Sequence, residues 1–260
     1  MPKQKKISLG NPPKGRRSLM GAFVPEDVHL YRLDRHTFTI YVGGDIYAFA
    51  GLDEFSEPGV EYNMADRFEL NLGILSGINP KRPILVHVAS CGGNWQEGMQ
   101  MFGAILTCPN PVTVLATKWA RSMTSIIPLA ADRFVLRPPA QYMYHRGTYG
   151  FYGLDQEAET DDIERRKVHE SMMRIYTARL QEQGAFMNRT EEEIRAILEQ
   201  GAREKIDVWL EADEATRWGF VDDVFEGNLD TLRAKKRNDA RRARMLAVLR
   251  RPAKVQVVVS

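Results

Sequence analysis

The chain has little cysteine and no long apolar run, and each shortage excludes a class of protein. Two cysteines in 260 residues, Cys91 and Cys108, build no disulfide framework and offer no metal-ligand spacing. A reduced, cytoplasmic protein is therefore expected, with no metal. No apolar stretch approaches the roughly 18 residues that cross a bilayer, so no membrane span is expected. The amino-terminal MPKQKKISLGNPPKGRR is basic but has no apolar segment, so it does not read as a secretory signal. No internal repeat is visible.

What is present is ordinary globular material, 43% apolar and 27% charged, enough for one large α/β domain or two small ones. The net charge of +2 hides an asymmetry. Residues 1–17 hold six Lys or Arg and no acid, and residues 233–254 hold ten against the single Asp239. Removing those fifteen net positive charges leaves residues 18–232 at −13. Basic ends of this kind can meet nucleic acid or an acidic partner. The simpler expectation is a basic flexible arm over 1–17 and a solvated basic tail or exposed helix over 229–260.

Within the body, the stretch from Ile84 to Arg146 organises the chain. Apolar, β-branched runs at Ile84–Ala89, Val112–Ala116 and Arg133–Leu136 alternate with helix-like segments, which predicts successive β-α-β units and an α/β fold. A strand is expected over Thr37–Val42, a loop or insertion over Leu52–Glu61 and a helix over Met64–Leu75. Another helix is expected over Asn94–Thr107, its stripe of Trp95, Met99, Phe102, Ile105 and Leu106 facing the core. Leu154–Gln183 reads as a long, highly charged helix that either lies on the surface or projects to a partner. Thr190 and Glu193 form a capping box for the helix after it. Ala212–Trp218 reads as helical and Phe220–Val224 as strand-like.

The strand ends carry the chemistry. Gly92-Gly93 follows the first strand, where glycine lets backbone approach a ligand and an N–H can act as an oxyanion donor. Ser122 follows the second at a helix start, a position equally suited to an ordinary N-cap. His145 follows Gln141–Tyr144. Serine needs an adjacent base to act as a nucleophile, histidine is the usual one, and the base needs a carboxylate to orient it. Spacing leaves Asp155, Asp207, Asp213 and Asp222 all open for that last role.

Four blocks in order resemble the Clp protease proteolytic subunit family. SCGGNWQEGMQMFGAI is similar to its Ser-Pro-Gly-Gly segment and following helix, ARSM (120–123) to its Ala-Ala-Ser-Met, MYHR (143–146) to its Met-Ile-His-Gln, and IDVWLEADEATRWGFVDDV (206–224) to its carboxy-terminal pattern. The resemblance runs from about Phe38 to Phe225. It implies a ClpP/crotonase-like spiral of β-β-α units with a protruding handle helix at Leu154–Gln183, in a peptidase domain of 18–228. It also implies Ser122 as nucleophile, His145 as base, Asp207 as acid, and the amides of Gly93 and Met123 as oxyanion donors. The implied activity is a serine endopeptidase without a cofactor of its own, enclosed in stacked rings of identical subunits and fed polypeptides by a ring ATPase.

The order Ser–His–Asp and the absence of G-x-S-x-G around Ser122 argue against an α/β-hydrolase. The chain departs from the family at Cys91 for proline, Lys118-Trp119 for Gly-Gln, Arg121 for alanine and Arg146-Gly147 for Gln-Pro. A crotonase-type acyl-CoA enzyme would keep the fold without needing these three side chains. An inactive subunit, or a scaffold binding partners through the basic tails, is the non-enzyme alternative.

Overall fold

The computed structural model describes residues 25–43, 59–150 and 153–252. The expected arm at 1–17 and most of the Leu52–Glu61 loop lie outside them. Helix α1 (Pro25–Tyr31) is followed by β1 (Leu33–Asp34), β2 (Thr39–Val42), α2 (Tyr62–Ile78), β3 (Ile84–Ser90), α3 (Trp95–Thr107) and β4 (Val112–Arg121). A single turn α4 (Met123–Ile126) and a 3-10 turn (Ile127–Ala130) lead to β5 (Arg133–Leu136) and β6 (Gln141–Tyr144). Then come the long α5 (Asp155–Leu180), α6 (Glu191–Lys205), β7 (Val208–Leu210), α7 (Ala212–Trp218), β8 (Asp223–Val224), α8 (Leu229–Leu232) and α9 (Asp239–Arg250). Among the described residues no helix is long and apolar enough to cross a membrane.

β2, β3, β4, β5 and β8 lie side by side and parallel, as the β-α-β reading requires. The sheet then branches on β4. Its first half, Thr113–Ala116, pairs with β5, and its second half, Trp119–Arg121, pairs with β6. The cause is a register jump against β3: Val88 faces Ala116, but Ser90 faces Ala120. β4 thus carries two extra residues across Thr117–Trp119, and such a bulge bends its strand and redirects the residues beyond it. The sequence pattern ends the strand at Ala116, because Thr117-Lys118 breaks the apolar run. Pairing with β6 carries it on to Arg121.

α2 and α3 cover one face of the sheet. Phe102, Ile105 and Leu106 are buried as their spacing predicts, while Trp95 and Met99 pack at the margin of the core. Leu85, Leu115 and Val135 on the opposite face are covered by Leu232 and Phe225. Arg233 fastens that cover, donating to the carbonyls of Phe38 (3.1 Å) and Pro83 (2.9 Å).

Helix α5 is divided along its length. Met172, Met173, Ile175, Tyr176 and Leu180 are buried in the core. The preceding turns are held by exposed i,i+3 and i,i+4 pairs, Asp162 with Arg165 and Arg166, and Glu164 with Lys167. Such pairs stabilise a helix that has no tertiary support. Its 26 residues extend ~39 Å at 1.5 Å per residue.

The carboxy-terminal basic segment departs from expectation. Over its described residues, 229–252, it is not a solvated tail or a wholly exposed basic helix: α9 packs on α5, and Arg241 and Arg242 are 4% and 2% exposed. Arg241 donates to Asp222 and Glu182, and Arg242 chelates Asp132. These two arginines are partners for carboxylates of the acidic body.

Asp222 accepts from Arg241 at 2.7 Å and from Arg179 at 2.8 Å. Burial pushes its carboxyl up, but Arg179 and Arg241 outweigh burial and hold it well below the ordinary carboxylate range. A carboxylate depressed in the folded state contributes stability that is complete above its unfolded value, 3.8, and is lost as pH falls below it. Thermal melts at stepped pH are expected to show a steep loss of Tm beginning near pH 4. In Asp222→Asn that acid dependence is expected to flatten.

Candidate active site

Sheet register assembles the site. Arg121 on β4 faces Met143 on β6, and the Ser122 N–H continues the pairing by donating to the Met143 carbonyl at 3.1 Å. On the other edge of β6, Tyr144 faces Val208 of antiparallel β7. One step beyond each of these pairs lie Ser122, His145 and Asp207. Ser122 Oγ is 2.7 Å from His145 Nε2, and His145 Nδ1 is 3.3 Å from Asp207 Oδ1. Three residues far apart in sequence thus meet because three strands end together.

Ser122 does not act as a side-chain cap on α4. Its backbone sits at φ 54°, ψ −125°, a conformation that costs a non-glycine residue of order 1–3 kcal/mol and persists only where its surroundings impose it. The surroundings do so with hydroxyls. Thr124 Oγ1 donates to the Ser90 carbonyl (2.8 Å), and Ser125 Oγ donates to the Ser122 carbonyl (2.7 Å). Ser125 Oγ is also 2.9 Å from Tyr176 Oη on α5. Thr124, Ser125 and Tyr176 are positioning residues that sequence pattern does not single out. The only local signal is two hydroxyl side chains inside an otherwise apolar run.

A second strained turn presents Asp207. Ile206 has φ 63°, ψ −69°, and the Asp207 N–H donates to the Lys205 carbonyl at 2.7 Å. This is the rare form of γ-turn, costly for a β-branched residue. It ends α6 abruptly and aims Asp207 toward β6. Of the carboxylates that spacing left open, Asp222 is committed to arginines, Asp155 opens α5 and Asp213 sits in the first turn of α7. Asp207 is the one that faces His145.

The glycines lie on the other side of Ser122. The Val60 N–H donates to the Gly92 carbonyl (2.7 Å), and the Asn94 N–H donates to the Val60 carbonyl (2.9 Å). In such a parallel bridge the central residue's own N–H points away from the partner, and Gly93 lines the cleft. Gly92, at φ 95°, packs so tightly that a Cβ there would sit 2.6 Å from Ser122 Cβ and 2.9 Å from Met123 N. Only glycine permits that approach. The Met123 N–H opens a helical turn and so has no acceptor within it.

These groups border a cleft of about 520 Å³ lined also by Trp95, Arg121, Met172 and Tyr176. Burial is the largest influence on His145 and lowers its pKa; Asp207 pulls it back up and Arg121 pushes it down, leaving it below 6.5. A neutral imidazole at neutral pH can accept a proton from Ser122. Cys91 is buried at the same cleft, with Sγ 3.8 Å from the Gly92 carbonyl, while the nearby imidazole is bonded to Ser122.

Comparison with known proteins gives the family. The Clp protease family model matches residues 55–228. An ATP-dependent Clp protease proteolytic subunit 1 of Chlamydia abortus is 29% identical over 172 residues, covering 65% of this chain and 83% of the relative. The ATP-dependent Clp protease proteolytic subunit of Deinococcus radiodurans is 24% identical over 186 residues, covering 70% and 85%. Among solved structures, a ClpP1 mutant from Listeria monocytogenes superposes with a TM-score of 0.58 at 23% identity, covering 76% of this chain and 96% of that one. With the branched α/β sheet, the long projecting helix and a family match over residues 55–228, the chain belongs to the Clp protease family.

Proposed function

We propose that this chain is a serine endopeptidase in which Ser122, His145 and Asp207 work as one unit. The observation that carries the reading is the 2.7 Å contact between Ser122 Oγ and His145 Nε2, with the base backed by a carboxylate. His145 takes the Ser122 proton as Oγ bonds to the peptide carbonyl carbon, and the carbonyl oxygen becomes an oxyanion facing the amides of Gly93 and Met123. Collapse breaks the C–N bond while His145 returns the proton to the leaving amine. Water then repeats the sequence and frees the acid. Asp207 holds the Nδ1–H tautomer that leaves Nε2 basic. The hydrolysis needs no cofactor.

The peptidase domain is proposed to span 18–228, with 229–250 docked on it and 1–17 as a basic arm. The relatives are named as proteolytic subunits of an ATP-dependent protease. That supports stacked rings of identical subunits joined through α5, and polypeptides delivered by a ring ATPase in the cytoplasm. Polypeptide is the proposed ligand rather than nucleic acid, since Arg241 and Arg242 of the basic carboxy-terminal segment are taken up by internal carboxylates.

Labelling with a fluorophosphonate probe tests the reading: wild type is expected to be modified and Ser122→Ala not. An assembled wild-type protein that stays unlabelled would favour the inactive-subunit alternative. The acidic limb of the kcat/KM profile on a fluorogenic peptide is expected below pH 6.5, because His145 stays neutral past its ordinary value.

A further inference from the structure

We infer that Arg121 selects substrates carrying a carboxylate within two residues of the scissile bond, either an Asp or Glu side chain or a free chain terminus. This rests on the peptidase reading above and adds the substrate's chemistry to it. Arg121 immediately precedes Ser122 and lines the same cleft. Its partner in the sheet is Met143, two residues before His145. Paired residues share a face of the sheet, and Arg121, Met143 and His145 line the same cleft. The charge of Arg121 is felt at His145, so it lies close to the reacting groups.

Arg121 lacks an acid. Several other arginines drawn into the body hold carboxylates: Arg179 and Arg241 bind Asp222, Arg242 binds Asp132, and Arg174 and Arg195 bind Glu170, while Arg233 is satisfied by the carbonyls of Phe38 and Pro83. Arg121 is half-buried, yet among the described residues no carboxylate pairs with it. Its guanidinium rests instead near two indoles, 5.9 Å from the Trp119 ring and 5.6 Å from the Trp209 ring. Among the described residues, Arg121 Nε and Trp119 Nε1 are buried donors without an acceptor. Buried donors are normally satisfied, and an orphan in a cleft calls for a ligand that accepts. A guanidinium flanked by aromatic rings is poorly hydrated, which strengthens its attraction for an anion. Its planar fork matches a carboxylate, the anion that polypeptides carry. Arg146, exposed on the same cleft, adds positive charge at the rim. The remaining acid there, Asp207, is turned to His145.

The test digests a pool of random decapeptides, half with free and half with amidated carboxy termini, and maps cleavage sites by mass spectrometry. Wild type is expected to enrich Asp and Glu over Asn and Gln within two residues of the cut, or to favour free over amidated termini, by about tenfold. Which of the two appears identifies the source of the carboxylate. Arg121→Gln is expected to lose the preference, Arg121→Lys to keep part of it, and Arg121→Glu to move it toward Lys and Arg. Cleavage without acidic preference, or a preference that survives in Arg121→Gln, overturns the assignment. If nothing is cleaved, the peptidase reading fails and binding decides the role of Arg121. Fluorescence anisotropy of matched Glu and Gln peptides on Ser122→Ala and on Ser122→Ala/Arg121→Gln then shows either an Arg121-dependent difference of about tenfold or its refutation. Equal melting temperatures for the variants exclude misfolding as the cause.

Discussion

Replacing Ser122 by alanine is expected to lower kcat/KM for peptide hydrolysis by about 10⁴- to 10⁶-fold, and replacing His145 by alanine to do nearly the same. The reason lies in the 2.7 Å contact between them. A serine hydroxyl without a base is a weak nucleophile, and a base without a serine has nothing to activate. The two losses should therefore not add: Ser122→Ala/His145→Ala is expected to match the worse single variant. Asp207 should behave differently. Its oxygen lies 3.3 Å from Nδ1, and its side chain is 44% exposed, so water can partly take over the orienting hydrogen bond and Asp207→Ala should lose less. Stability should hardly change in Ser122→Ala, by about 0.5 kcal/mol or less. The strained backbone at Ser122 is fixed by Thr124, Ser125 and Met143 rather than by its own hydroxyl. Progress curves for the three single variants and the double decide the matter. Losses that multiply, or a Ser122→Ala loss under tenfold, would remove the nucleophile–base pair.

The parts of this site that are legible in the sequence are those written in local pattern. β3, β5, β6, α3, α7 and the capping box before α6 can be read from periodicity and caps, because their residues declare their faces. Ser122, Gly93 and His145 are visible as strand-end residues for the same reason. Asp207 is not separable from three other carboxylates by spacing, since what selects it is the β6–β7 register and the γ-turn at Ile206. Neither has a local signature, because isoleucine ordinarily avoids positive φ. The far half of β4 is hidden likewise: Lys118 interrupts its apolar run, and only pairing with β6 reveals it. The carboxy-terminal arginines escape a reading by composition, which counts charges but does not show their partners. A basic segment beside an acidic body is as much a sign of docking as of solvation.

That docking leads to the largest expected stability effect. Arg242→Ala and Asp132→Ala are each expected to cost about 3–5 kcal/mol, the usual penalty for leaving one member of a buried pair alone. Both partners are almost fully enclosed, at 2% and 0% side-chain exposure. Arg242 Nε and Nη2 grip the two Asp132 oxygens at 2.9 and 2.5 Å, and its remaining N–H groups reach the carbonyls of Leu106, Cys108 and Asn110. Asp132 in turn accepts from the Val112 and Asn238 N–H groups. One ion pair thus joins the end of α3, the starts of β4 and β5, and the cap of α9. For a chain of this size the loss corresponds to a fall in Tm of roughly 10 °C. Replacing both members by apolar residues, Asp132→Leu/Arg242→Met, should recover only part of it. The buried charges would be gone, but the carbonyls and amides they satisfied would stay unpaired. Fluorophosphonate labelling per folded molecule should be unchanged below the transition, since this pair lies away from the cleft residues. A Tm shift under about 3 °C for Arg242→Ala, equivalent to roughly 1 kcal/mol, would mean that α9 is only loosely attached and that its arginines are satisfied as well by water.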